Sequence, residues 1–117
     1  GEVAALFADA GFVVLTAFIS PYRSDRVRAR EAAERKANGA FREVFVKASL
    51  AVCEGRDPKG LYRKARAGDI PEFTGISAPY EAPEEQELII DTDGQTVDQS
   101  VAALVDHIEK NFFTSGN

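Results

Sequence analysis

Between positions 56 and 75 the chain reads RDPKGLYRKARAGDIPEFTG. Arg56, Lys59, Arg63, Lys64 and Arg66 crowd its opening, and Phe73 follows on a polar stretch punctuated by Pro71 and Gly75. Arginine offers a planar fork that grips two oxygens, and lysine a mobile point charge, so the pair suits phosphate recognition. On a helix, Lys59, Arg63 and Arg66 would stand side by side at i, i+4 and i, i+3. That arrangement of like charges costs stability unless an anion is present. A solvated helix face is the other reading of these cations, and both stand on the sequence alone. Phe73 also has two readings: a ring that stacks on a base, or a loop anchor packed on the core. A second group of cations, Arg23 and Arg26, lies in FISPYRSDR (18–26).

The charge distribution sharpens the point. From Arg23 to Arg66 there are 13 Lys/Arg against 6 Asp/Glu, an excess of +7, inside a chain of net charge −5. A basic middle in an acidic chain fits a small local anion, while the acidic remainder would repel a long polyanion, so nucleic acid is not expected as a partner. One cysteine, Cys53, excludes an internal disulfide or a cysteine-rich zinc site. It sits in an apolar stretch and reads as a buried inert thiol. One histidine, His107, falls in an apolar-patterned helix and reads as structural. Ser20 has no histidine nearby in sequence for a hydrolase triad. No apolar run approaches the roughly 20 residues of a membrane span, and GEVAALFADAG has no basic n-region. A reducing cytoplasm is the expected compartment.

The elements that must position these residues follow from periodicity. Residues 2–10 read as a helix stopped by Gly11, and FVVLTAFI (12–19) as a buried parallel strand. Residues 22–37 are helix-friendly and end at Asn38-Gly39. REVFVKA (42–48) reads as a second strand, and 49–56 as a short helix with Ser49 as N-cap. Residues 58–67 form a further helix with Pro58 in its first turn and Gly68 at its end. Residues 69–86 form a long loop with three prolines, and 87–91 a third strand. Thr96 and Gln99 form a capping box that opens a helix with Val97, Val101, Leu104, Val105, Ile108 and Phe112 on one face. Alternating helices and strands predict an α/β fold with a parallel sheet. In such sheets ligands bind at the carboxyl ends of the strands, where the cations fall. The small number of strands implies part of a larger domain. No G-x-x-x-x-G-K-[ST] phosphate loop occurs in the 117 residues.

Three stretches resemble adenylylsulfate kinase, the enzyme of adenosine 5′-phosphosulfate (APS). They are LTAFISPYRSDRVRARE (15–31), EVFVKASLAVCEGRDPKGLYRKARAGDIPEFTGISAPYEAPEE (43–85) and DTDGQTVDQSV (91–101). The resemblance implies a three-layer P-loop kinase-like fold, with residues 1–117 as the C-terminal part of one kinase domain and a mobile lid at about 57–80. It implies transfer of the ATP γ-phosphoryl to the 3′-hydroxyl of APS, giving 3′-phosphoadenylylsulfate (PAPS) with Mg²⁺ assisting. Phe18, Ile19 and Ser20 match the positions that line the APS pocket, and Ser20 also matches the serine proposed as a phosphoenzyme site in some members. Lys59 matches the lysine that reaches the nucleotide phosphates, with Leu61 beside it. Phe73 matches the aromatic that stacks on the APS adenine, with Thr74 next to it. Arg23 and Arg26 fall on the substrate side, and Arg56, Arg63, Arg66, Thr92 and Gln95 on the ATP side. The family's phosphate loop and its DGDN.R segment have no match here. The resemblance places both upstream, across roughly 80–90 residues of the size a parallel-sheet domain needs. With them go the magnesium ligands, so no metal site is expected in this chain and the 117 residues alone are expected to be inactive. A homodimer, and fusion to or association with ATP sulfurylase, are the expected assemblies. The alternative is a nucleotide-binding or regulatory module without chemistry.

Overall fold

The computed structural model describes residues 1–36 and 39–113. Asn38, half of the expected stop after the second helix, lies outside them. In chain order the elements are α1 (Glu2–Asp9), α2 (Arg23–Lys36), β1 (Val44–Lys47), α3 (Leu50–Arg56), α4 (Leu61–Arg66), β2 (Leu88–Asp91) and α5 (Val97–Phe112). The strands β1 and β2 pair in parallel, with Val44 opposite Leu88 and Lys47 opposite Asp91. The connection between them carries α3 and α4, as a parallel pair requires. Helix α1 packs on α2, α5 on β2, and α3 on α4.

Local chemistry sets the boundaries. The Ser49 hydroxyl accepts from the Val52 amide and starts α3. The Thr96–Gln99 capping box is complete, each side chain accepting from the other's backbone. The α4 boundary differs from expectation. Residues 57–60 form a turn closed by the Gly60 amide on the Asp57 carbonyl, and Gly60 has φ +66, so the helix begins at Leu61 and Pro58 stays outside it. The Asp57 carboxylate then caps α4 by accepting from the Tyr62 and Arg63 amides, both at 3.1 Å. Gly68, at φ +85, ends the turn after α4.

The stretch 12–19 corrects the sequence reading. It belongs to no strand, and the sheet has two strands among the described residues. A strand exists only through a ladder partner, and β1 bonds to β2 alone. The apolar side chains of the stretch are accordingly open: Leu15 is 70% and Phe18 80% exposed. Much of the expected α5 stripe is open too, with Val97, Val101, Val105 and Phe112 exposed. Among the described residues the buried hydrophobic core reduces to Ala5, Ala32, Ala65 and Ile90. The Cα radius of gyration is 16.4 Å, where a compact domain of this length has about 13 Å. Between α1, the 12–19 stretch, β1 and α5 lies a cavity of about 510 Å³ whose lining includes Phe12, Leu15, Phe41, Leu104 and Ile108. His107 also lines it, half-buried, and its Nε2 has no hydrogen-bond partner.

Candidate functional site

The residues singled out from the sequence fall into two groups. The first surrounds the carboxyl ends of the two strands. The Thr92 amide and hydroxyl both donate to the Lys47 carbonyl, at 2.9 and 3.0 Å. Arg56, the last residue of α3, donates from Nη1 to the Thr92 hydroxyl at 3.0 Å and from Nη2 to the Thr92 carbonyl at 2.6 Å. Arg56 and Thr92 are therefore brought together and fasten α3 to the end of β2. Beside them Lys47 Nζ lies 2.9 Å from Asp91 Oδ2. The hydrogen bond and charge of Lys47, with the Asp93 amide, hold the Asp91 carboxyl below its usual range. The Ser49 amide donates to the Asp93 carboxylate at 3.0 Å, tying α3 to the loop after β2. Gln95 lies further along that loop, where its side-chain oxygen accepts from the Ser100 hydroxyl.

Beyond this clamp stands the α3–α4 hairpin. Arg66 forks onto Glu54, with Nη2 at 2.6 Å and Nε at 3.2 Å, so one of the expected ATP-side cations is engaged within the hairpin. That fork holds the Glu54 carboxyl below its usual range. Burial pushes the Asp57 carboxyl up, but the amides of Arg63, Tyr62 and Leu61 outweigh it and hold the group low. Lys59 and Arg63 have no ion pair among the described residues. They line an open hollow of about 480 Å³ together with Glu54, Asp57, Pro58 and Gly60. Leu61 is 39% exposed on the same hairpin.

Phe73 meets this hairpin. Its ring sits edge-on to Tyr62, with centroids 5.0 Å apart and planes at 73°. Its carbonyl accepts from the amides of Ile76, Ser77 and Ala78, and its amide donates to the Ser77 hydroxyl. Thr74 bridges to Ala78 in the same tight loop. Phe73 is thus anchored by its backbone and half-buried. Burial, then the neighbouring Cys53 thiol, push the Tyr62 phenol above its usual range. Cys53 is half-buried and free, where the sequence suggested a buried thiol.

The second group lies at the start of α2. Phe18 and Ile19 are exposed, and Ser20 has φ +44, a left-handed conformation uncommon outside glycine. Arg23 donates from its amide to Glu81 Oε2 at 2.8 Å and from Nε to the Ala82 carbonyl at 3.0 Å, and pairs with Glu84 at 3.0 Å. Arg26 donates to the carbonyls of Ser20 and Glu81, both at 2.6 Å. Its Nε lies 2.8 Å from Glu43 Oε1, a charge contact rather than an aligned hydrogen bond. Arg30 forks onto Glu87 at 2.6 and 2.9 Å. Arg23 and Arg30 are therefore answered by carboxylates of the loop 81–87, while Arg26 is answered by the Glu81 carbonyl and by Glu43. Sequence reading gave Glu43, Glu81, Glu84 and Glu87 no role in the site, finding only that the acids at 81–87 lack calcium-loop spacing. Glu81 and Glu84 both meet Arg23, and Glu87 meets Arg30.

Parallel strands with a cation-bearing hairpin at their carboxyl ends define an α/β protein of the open parallel-sheet class. The family model described as adenylylsulphate kinase matches residues 1–91. An adenylyl-sulfate kinase of Staphylococcus carnosus is 55% identical over 109 residues, 93% of this chain and 53% of that protein. One of Geotalea uraniireducens is 55% identical over 116 residues, 99% of this chain and 54% of that protein. The solved structure of the Mycobacterium tuberculosis APS kinase in complex with AMPPNP and APS superimposes with a TM-score of 0.84 at 44% identity, over 92% of this chain and 61% of that one. The chain belongs to the adenylylsulphate kinase family, and it spans about half the length of the curated relatives it matches.

Proposed function

We propose that this chain is the C-terminal, lid-bearing part of a single kinase domain, and that the completed domain phosphorylates APS with ATP. The observation that carries the reading is the α3–α4 hairpin beside the Arg56–Thr92 clamp, where Lys59 and Arg63 line an open hollow and make no ion pair among the described residues. In the reaction the 3′-hydroxyl oxygen of APS attacks the γ-phosphorus. The bond from that phosphorus to the β,γ-bridging oxygen breaks, ADP departs, and the hydroxyl proton is released. Charge gathers on the transferring group and the leaving oxygen, so catalysis rests on positioning and on cations placed around them. Lys59 supplies one such cation. Phe73 and Thr74 receive the adenine side of APS, and Phe18, Ile19 and Ser20 the rest of it. Arg56, Arg63, Thr92 and Gln95 face the ATP side. Magnesium would be held by the ATP phosphates and the Ser/Thr of a phosphate loop, where it would neutralise the charge on the transferring group.

The open 12–19 stretch and the apolar side of α5 are the surfaces that a phosphate-loop-bearing part of the domain covers. The completed enzyme is a cytoplasmic homodimer, fused to or associated with ATP sulfurylase. No helix among the described residues is long and apolar enough to cross a membrane. The test compares the 117-residue chain with the uninterrupted reading frame that contains it, measuring APS-dependent ADP release. Turnover by the longer protein alone is the expected result. Turnover by the 117 residues, or none by the longer protein, would overturn the reading. A second reading, a binding module without chemistry, draws on the absence of a phosphate-loop motif from the sequence. It requires the 117 residues alone to bind APS in a calorimeter.

A further inference from the structure

Arg26 differs from the other cations in how fully its guanidinium is engaged. Nη1 bonds the Ser20 carbonyl, Nη2 bonds the Glu81 carbonyl, and Nε meets the Glu43 carboxylate. The Tyr80 ring lies 5.9 Å away, and the side chain is only 11% exposed. Three segments distant in sequence, the turn before α2, the loop after the Phe73 region and the entry to β1, thus meet on one side chain. Ser20, at one end of this junction, has φ +44 immediately before Pro21. Residues preceding proline favour extended backbone with negative φ, so this conformation persists only where the surroundings hold it.

We infer that Arg26 is a positioning residue. It holds Ser20 in its left-handed conformation and so sets the direction in which Phe18, Ile19 and Ser20 meet APS, instead of meeting the ligand itself. The identity of the ligand rests on the kinase reading above. A planar fork is needed for the task, because a lysine ammonium is a compact point charge that cannot reach three oxygens in these directions.

The test uses the full-length kinase and two readouts. In kinetics, Arg26→Lys is expected to raise the KM for APS by about tenfold, the size of one lost charge-assisted bond, with the KM for ATP unchanged. In a Ser20→Gly background the same substitution is expected to cost less, because glycine adopts positive φ without the bond. An equal cost in both backgrounds would mean that the guanidinium acts on the ligand directly, and would overturn the inference. The second readout needs no turnover. Chymotryptic cleavage after Phe18 is expected to quicken several-fold in Arg26→Lys, while cleavage after Phe73 keeps its rate, which separates local release from general loosening. Unchanged cleavage after Phe18 overturns the inference whatever the kinase assay gives. Faster cleavage in an enzyme that never turns over APS upholds the positioning role and defeats the kinase reading instead.

Discussion

The face of α2 and the α3–α4 hairpin are built from the same cationic residue types and use them in opposite ways. On α2, Arg23, Arg26 and Arg30 each find an oxygen of the 81–87 loop. On the hairpin, Arg56 and Arg66 are fastened by Thr92 and Glu54, while Lys59 and Arg63 between them have no ion pair among the described residues. A run of positive charge in a sequence therefore says little until its partners are known. Cations that have partners join segments of chain, and Lys59 and Arg63 stand open to solvent.

The largest effect that could break this contrast is at Lys59. In the intact kinase Lys59→Ala is expected to cost about 2–3 kcal/mol in kcat/KM, the worth of a charge-assisted contact, with the melting temperature unmoved. A drop in melting temperature with unaltered kinetics would put Lys59 on the structural side. Phe73→Ala is expected to weaken APS binding by about 1–3 kcal/mol, as loss of a stacked base does, and calorimetry reads it. Unchanged affinity would leave Phe73 as a loop anchor against Tyr62.

The α2 side is probed through acid. Burial pushes the Glu87 carboxyl up, but Arg30 and the Glu43 amide outweigh it and hold it below the usual range. The unfolded chain then takes up this proton at a higher pH than the folded one. The stabilisation is present above the ordinary carboxylate value and is lost as pH falls through the lowered folded value. Glu87→Gln is expected to flatten that acid limb in melting curves, and an unchanged limb would show that the Arg30 pair contributes nothing. The smallest effect is at Arg66, whose pair with Glu54 is open to solvent. Surface pairs of this kind contribute little. Arg66→Ala is expected to leave both melting and APS turnover near their starting values, and a large loss of ATP affinity would return Arg66 to the ligand side.

The elements governed by short-range chemistry were legible in the sequence. The Ser49 cap, the Thr96–Gln99 box, the parallel strands around 44–47 and 88–91, and the pairing of cations with strand ends all follow from local residue types. The strand expected at 12–19 did not form, because its apolar composition encodes burial but not the partner that makes a ladder. Of the site residues, the split between engaged and unengaged cations was hidden. It depends on contacts such as Arg30 to Glu87, across 57 positions, which no local window contains. The start of α4 was misplaced for a different reason: Asp57 caps from five residues before Tyr62, so Pro58 resembled a first helical turn without being one.

The turns at Gly60 and Gly68 limit how this hairpin could be made more rigid. Replacing glycine by alanine is a common route to heat-resistant proteins, because it narrows the unfolded ensemble. That gain requires a native φ that alanine tolerates. At φ +66 and +85 neither position qualifies, and at Gly60 a methyl group would also meet the Arg63 guanidinium at 3.3 Å. Attempts to toughen the protein by replacing glycines would best leave these two alone, together with Gly11, Gly39 and Gly75, which share a positive φ.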